Sequence, residues 1–308
     1  MVRIVTFEEI KNESVSQVMK GLEHYNFYVV KPYFEVISSR QEEFVPKLIE
    51  YVEQEYQSYL KRDEFSNFFK LSYCVALLAQ FKSEDAFDAV CNVFNLDEDD
   101  VYDLWEDNYP IAGAMLYRLI GNDFHIIIKL LLSYNHIPFS IGGALVDVLI
   151  LAYINEQISR EKILEIAKSI LSEDSAADNE FKVYLMLNII DLNLYELKEQ
   201  MIQMFNDENF VEMNVFHAEE FDRLNDSGNY QKEDLDVYKY SGIRYIDNTF
   251  NFFKSLDRFG EEYKEYQKIL AENEQRNREV HNAKIRAKKA KEKAKKIKAS
   301  KRKNRKKK

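Results

Sequence analysis

The densest run of carboxylates lies at Asp97-Glu98-Asp99-Asp100 and continues through Asp103, Glu106 and Asp107. Carboxylate oxygens are preferred ligands of Ca²⁺ and Mg²⁺, so this run is a candidate for holding a divalent cation. It lacks the glycine and the ligand spacing of a calcium-binding loop. Acidic side chains also favour the first turn of a helix, where they complement the helix dipole. A solvated helix start is the preferred interpretation, and we predict no metal and no other cofactor.

Histidines and cysteines are too scattered to form a recognisable catalytic site. His217 lies near Glu219 and Glu220, a grouping that could serve a hydrolase or a metal ion, but no two histidines have i, i+4 spacing. Cys74 and Cys91 are the only cysteines, and both lie in apolar patterns. We interpret His217 as a surface residue and the cysteines as buried apolar side chains. No catalytic residue is assigned, and an enzyme is the least favoured functional class.

The strongest chemical signal is a change in the sign of the charge near residue 276. Residues 276–308 contain 18 Lys or Arg and two Glu, out of 43 basic and 53 acidic residues in the whole chain. This tail therefore carries a formal charge of about +16, whereas residues 1–275, the body, carry about −26. Such a lysine-rich run is typical of segments that neutralise nucleic-acid phosphates. Because the last aromatic residue is Tyr266, no ring in the tail can stack on bases, and we expect sequence-independent binding.

The residues predicted to contact phosphates are basic residues of this tail. They are Lys288, Lys289, Lys291, Lys295, Lys296, Lys301, Arg302, Lys303 and Arg305. Residues 276–298 are rich in Ala, Lys and Arg, which are strong helix formers, so a helix is expected there. Small apolar residues recur at spacings of three and four between Val280 and Ile297. An alanine seam buries little area, so we do not expect a stable coiled coil.

Apolar residues of the body recur with helical periodicity. In the middle of the chain, Ile141–Ala152 and Ile163–Leu171 follow the i, i+3, i+4, i+7 spacing of one helical face. Between them, Ser159 is placed to cap the second helix, and Glu161 lies in its first turn. No strand alternation is found. Further helices are predicted at Phe65–Phe81, Glu84–Phe94, Ile111–Ile120, Phe124–Leu132, Asn179–Ile190 and Leu194–Phe205.

Short helices joined by polar turns predict an all-α fold, a HEAT-like α-solenoid of antiparallel helix pairs over residues 1–225. A loop at 226–229 is expected to separate it from an aromatic-rich helical extension, residues 226–260. Residues 261–308 are predicted to form a charged helix and a Lys/Arg-rich tail, partly disordered. The aromatics of the extension could line a groove for a partner, but this is the less favoured interpretation. They are Tyr238, Tyr240, Tyr245, Phe250, Phe252 and Phe253.

Composition also limits where the protein is expected to work. Its longest apolar stretches, 126–132 and 144–153, are interrupted by Lys129 and Asp147. Both are shorter than the roughly 20 residues that a membrane-spanning helix needs. The N-terminal residues turn acidic early and do not resemble a secretory signal. A reduced, disulfide-free, cytoplasmic protein is therefore expected.

Three short segments carry a family resemblance. Residues 18–25 (VMKGLEHY), residues 76–96 with their ALLAQF start, and residues 158–161 (ISRE) resemble the bacterial family called domain of unknown function 1186, over roughly residues 15–172. The resemblance implies an all-helical, HEAT-like, cytosolic protein with no established activity. Members of that family often end in a SEC-C motif, a Cys-rich zinc knuckle. No cysteine follows Cys91, so the resemblance implies no zinc site in this chain.

The first functional hypothesis is therefore a non-enzymatic interaction protein. Its helical body binds a protein partner that the sequence does not identify, and its tail contacts the phosphate backbone of RNA or DNA. The alternative is a protein-only scaffold whose tail clasps an acidic protein surface, in the same chain or in another. A solvated tail without a dedicated partner is less favoured. An anionic membrane is the weakest option, because the tail has no large apolar anchor. The oligomeric state is left open.

Overall fold

The computed structural model describes residues 3–62, 67–96, 109–133, 139–172, 175, 177, 179–205, 221, 224, 226, 248–255, 262–280 and 283–285. Every regular element in these residues is a helix, so the predicted all-α class is confirmed. None of the described helices is both long and apolar enough to cross a membrane.

Six α-helices form the N-terminal third of the described chain. They are α1 Phe7–Ile10, α2 Val15–Gly21, α3 Phe27–Ser39, α4 Gln41–Arg62, α5 Phe68–Phe81 and α6 Phe87–Phe94, and a 3₁₀ turn, Glu84–Ala86, precedes α6. The sequence predicted one helix from Glu84 to Phe94. The structure divides it, because the first residues after Ser83 make the tighter i, i+3 turn.

The remaining helices follow in chain order. They are α7 Tyr109–Leu119, α8 His125–Ser133, α9 Phe139–Ile154, α10 Arg160–Ile170, α11 Asn179–Asp191, α12 Lys198–Phe205 after a 3₁₀ turn at Tyr195–Leu197, α13 Thr249–Ser255, and α14 over 262–280. Residues 283–285 are also helical. The helices predicted in the middle of the chain are thus present, with ends shifted by a few residues.

Side-chain caps explain where several helices begin. Ser159 Oγ accepts a hydrogen bond from the Lys162 amide at 3.3 Å, which confirms the predicted cap of α10. Asn67 Oδ1 accepts from the Lys70 amide at 2.9 Å, so α5 begins after Asn67 rather than at the predicted Phe65. Ser14 and Gln17 form a capping box at the start of α2.

The central helix is α9, which packs against α6, α7, α8, α10 and α11. The sequence predicted one buried face for it, but Val146, Ile150 and Leu151 are buried as well, so α9 is enclosed on all sides. Its approach to α7 is close at Gly113, where an added Cβ would lie 2.4 Å from Asp147 Cβ. Only glycine allows this contact, since any side chain would push the two helices apart.

The C-terminal helix α13 returns to the N-terminal part of the body, where it packs on α3 and α5. Gln80 Oε1 accepts hydrogen bonds from the Thr249 amide at 2.6 Å and from its hydroxyl at 2.7 Å. Phe252 and Phe253 are fully buried, and the Phe253 ring meets Tyr73 edge-on at 5.0 Å. These two rings therefore do not line a partner groove, the less favoured interpretation of the sequence, because α13 uses them to fill the core. Tyr238, Tyr240 and Tyr245 lie outside the described residues.

Candidate functional site

The first turn of α14 caps the N-terminus of α3. Glu262 Oε2 accepts a hydrogen bond from the Phe27 amide at 3.0 Å, and the Glu262 carbonyl accepts from Asn26 Nδ2 at 3.1 Å. Asn26 Oδ1 in turn accepts from the Tyr28 amide at 3.1 Å. The backbone amides at the start of α3 have no acceptor within the helix. They are thus capped by the side chain of Asn26 and by the carboxylate of Glu262, which lies far along the chain. A negative charge is also favoured there by the helix dipole.

A second carboxylate of α14 extends this anchor. The Tyr25 hydroxyl donates to Glu265 Oε1 at 2.6 Å, and this bond raises the pKa of Tyr25. The His24 ring stacks on Tyr25 with centroids 4.7 Å apart. Burial lowers the pKa of His24, although the nearby Glu265 carboxylate opposes the shift. The imidazole is therefore held neutral more strongly than in solution.

Aromatic rings complete the anchor. Tyr28 stacks on Tyr266 at 5.4 Å, lies 5.1 Å from Tyr263, and meets Phe250 of α13 edge-on at 5.7 Å. Ring pairs at these distances contribute about 0.5–1.5 kcal/mol each beyond the area they bury. We call the set of contacts made by Glu262, Glu265 and these rings the anchor; it fixes both the position and the direction of α14.

Beyond the anchor, the side chains of α14 become exposed. Ile269, Leu270 and Asn273 are still partly covered, but every residue from 274 to 280, and from 283 to 285, is exposed. The charge changes sign at the same place, because the basic tail begins at Arg276. Arg276, Arg278 and Lys284 are the tail cations that the structure describes, and all three are exposed.

The nine tail residues predicted to contact phosphates, from Lys288 to Arg305, lie outside the described residues, and their role stays a prediction. The acidic run 97–107 and His217 with its neighbouring glutamates also lie outside them. In the part of the chain that the structure describes, no group of three or more His, Cys, Asp or Glu side chains is placed to hold a metal ion.

The predicted burial of the two cysteines is confirmed for Cys74 and holds only in part for Cys91. Cys74 is fully buried and Cys91 is largely covered. Burial raises the pKa of Cys91 to about 12 and raises that of Cys74 as well. Since the thiolate is the reactive form, neither sulfur is activated as a nucleophile at neutral pH.

Sequence reasoning missed two polar features. The first is the anchor, of which only the asparagine has a local signal, since Asn26 precedes an apolar run as N-cap residues do. The second is Asp147, a buried carboxylate in α9 that accepts a hydrogen bond from the Tyr184 hydroxyl at 2.8 Å. Burial raises the pKa of Tyr184 and the Asp147 charge adds to the effect, so this hydroxyl keeps its proton and acts as a donor.

Residues 13–255 match a family described as protein of unknown function, DUF1186. The matched residues run from the start of α2 to the end of α13 and include Asn26 and Phe27 of the anchor, whereas α14 follows the matched region. Comparisons with curated proteins and with solved structures found no match. The family match covers about four fifths of the chain, and the protein therefore belongs to the DUF1186 family.

Proposed function

We propose that this protein is a non-enzymatic helical scaffold with a basic arm, which consists of α14 and the tail that follows it. The arm contacts the phosphate backbone of RNA or DNA. One observation carries the proposal. The helix α14 is held at its first turns by contacts with the body, and its described residues from 274 onward are exposed, where the sequence becomes basic. A basic arm whose first turns are held by the body is suited to tether the body to a large polyanion.

The order of helix contacts supports a HEAT-like α-solenoid for residues 1–225 of the body. Helix α4 packs on α5, α5 on α7, α7 on α9, and α9 on α11, so each layer contacts the next. Stacked helix pairs of this kind offer broad surfaces for another protein. A protein partner for the acidic body, in the cytoplasm, is part of the proposal.

The negative charge of the body favours an arm that extends away from it. The body carries a formal charge of about −26 and should repel nucleic acid. Charges in water are screened over about 8 Å at physiological ionic strength. From Leu270 to Val280, α14 rises about 15 Å along its axis at 1.5 Å per residue, which exceeds that screening length and supports an arm that extends from the body.

The test compares RNA binding by the full chain and by a chain that ends at Gln275. Fluorescence anisotropy with a labelled 20-nucleotide single-stranded RNA should show binding by the full chain only. The logarithm of its binding constant should fall steeply with the logarithm of salt, by about 0.7 for each phosphate neutralised. If the shortened chain binds RNA as tightly as the full chain, the proposal fails.

Two matched tails sharpen the experiment. A tail with the same residues in shuffled order should bind equally well, because the contact is charge-based and sequence-independent. A tail of the same length with every Lys and Arg replaced by Gln should not bind. Loss of binding with the shuffled tail would show that the order of residues matters, against the proposal.

The protein-only scaffold makes a different prediction. If the tail clasps the acidic body of a second copy, sedimentation velocity without nucleic acid should detect a dimer at low salt that dissociates at high salt. A monomer under both conditions, together with RNA binding, supports the proposed arm.

A further inference from the structure

A cleft of about 670 Å³ opens between α2, α4 and α5. Three lysines line it, Lys20, Lys47 and Lys70, together with Glu23 and Glu50. This concentration of cations is unexpected in a body whose acids outnumber its bases about two to one. The cleft therefore differs in charge from the surface around it.

Lys70 is the central feature of the cleft. The residue is only 8% exposed, and its Nζ lies 3.2 Å from Glu23 Oε1 and 4.3 Å from the centre of the Tyr51 ring. Within the described residues, Glu23 accepts its one hydrogen bond. An ammonium has three N–H donors, and a buried charge with unused donors is unfavourable. Both residues of this ion pair line the cleft, and the Glu23 side chain is 46% exposed, so the pair borders the open space of the cleft.

The other two lysines differ in their pairing. Lys47 forms an ion pair with Glu50, which also accepts a hydrogen bond from Gln54. Lys20 is exposed on the last turn of α2 and has no acidic partner among the described residues. Each of the three ammonium groups thus keeps N–H donors for a ligand; among them, Lys20 lacks a carboxylate partner in the described residues, and Lys70 is the buried one.

The neutral groups of the cleft favour a small polar ligand. Burial raises the pKa of Tyr51, with a further contribution from the neighbouring Glu55 carboxylate, so its hydroxyl stays neutral beside Lys70. Gln54 and Ser16 add uncharged polar groups to the lining. Glu23 and Glu50 leave the cleft with a net charge of only about +1, and they would repel a polyanion such as RNA.

We propose that this cleft binds a small carboxylate or phosphate monoester, whose anionic oxygens complete the hydrogen bonding of Lys70 and contact Lys20. The proposed binding is non-covalent and requires no metal ion. Charge-assisted hydrogen bonds from two ammonium groups hold it, and Gln54 and Ser16 bind its hydroxyl or amine groups. The site is independent of the basic arm, because it lies in the body and accepts a different class of ligand.

The experiment follows the Tyr51 ring by NMR in the full chain labelled with ¹³C-tyrosine, while acetate, methyl phosphate or chloride is added at constant ionic strength. Acetate, methyl phosphate or both should shift the Tyr51 signal saturably, and which of the two saturates at lower concentration identifies the ligand class. Chloride should not saturate it. Lack of saturation by both acetate and methyl phosphate would overturn the inference.

Variants test the two lysines. Lys20→Met should weaken binding about tenfold, because Lys20 is exposed and donates a charge-assisted hydrogen bond without supporting the fold. Lys70→Met should remove binding, and Lys162→Met, on α10, should leave it unchanged. If Lys70→Met does not fold, the Lys20 variant still decides: unchanged affinity in Lys20→Met would refute the proposed contact.

Discussion

The first and the last described turns of α14 differ in the kind of interaction that they can make. Its first turns are held by individual contacts, in which Glu262 and Glu265 reach particular atoms of the body and Tyr263 and Tyr266 lie against Tyr28. Its last described turns, from 274 onward, are exposed and carry charge. One end depends on geometry and the other on the number of cations.

This contrast determines how each end should respond to change. An interaction that depends on geometry breaks when one side chain is altered, and the effect can be measured as a decrease in stability. An interaction that depends on summed charge tolerates substitution, responds to salt, and leaves stability unchanged. Substitutions along α14 and in the helix beneath it should therefore separate the two ends.

The largest effect is expected from Phe253→Ala in α13. Phe253 is fully buried against Phe34 and Tyr73, so its removal leaves a cavity beneath the anchor. Substitutions of this kind lower the free energy of unfolding by about 3–5 kcal/mol. Urea denaturation should detect this. The control is Tyr263→Ala, which removes a 48% exposed ring and should have a clearly smaller effect. Equal decreases in the two variants would contradict the description of the anchor.

Glu262→Ala should have the next largest effect. It removes the carboxylate that accepts from the Phe27 amide, and loss of a helix cap lowers stability by about 1 kcal/mol. Hydrogen exchange of the Phe27 amide should become faster. Glu274→Ala is the matched control, because this glutamate lies on the same helix but is exposed, and among the described residues its ion pair is the long one with Arg278 at 3.6 Å. Unchanged exchange in Glu262→Ala would show that the cap is not formed in solution.

The body's helices were predictable from the sequence because their signals are local. The stripe Ile163, Ile166, Ala167 and Ile170 is buried as its spacing predicted, and Ser159 caps that helix. The enclosure of α9 was not predictable in the same way. Its apolar spacing fits one face, and only its neighbours in space show that the other faces are covered too.

The candidate site was predictable only in part. The change of charge at Arg276 is visible in the composition, and it led to the tail hypothesis. The anchor joins residues 24–28 to residues 262–266, and no periodicity links segments so far apart in the chain. The same holds for Phe253, which in the sequence belongs to an irregular aromatic cluster and in the fold fills the core.

The change in the free energy of unfolding that His24 causes between high and low pH should be smaller than the change caused by Glu262→Ala. Burial lowers the pKa of His24 in the folded state below its ordinary value of about 6.5. The unfolded chain therefore binds this proton more readily, so His24 favours the folded state above pH 6.5, and that contribution is lost as the pH falls towards the folded pKa. Urea midpoints at pH 8 and pH 5.5 should differ less in His24→Gln than in the unaltered chain. The same difference in both would show that His24 does not contribute.

The smallest effect on stability is expected from substitutions in the exposed turns of α14, from residue 274 onward. Replacing both Arg276 and Arg278 by Gln should change the free energy of unfolding by less than about 0.5 kcal/mol, because both side chains are exposed. If the arm binds RNA through these cations, the same variant should reduce the salt dependence of RNA binding by about 1.4 in log–log slope, about 0.7 for each phosphate that is no longer neutralised. A decrease in stability comparable to that of Glu262→Ala would mean that the anchor extends past residue 274. An unchanged salt slope would place the first phosphate-binding cation beyond Arg278, which shortens the basic surface but leaves the geometric anchor as described.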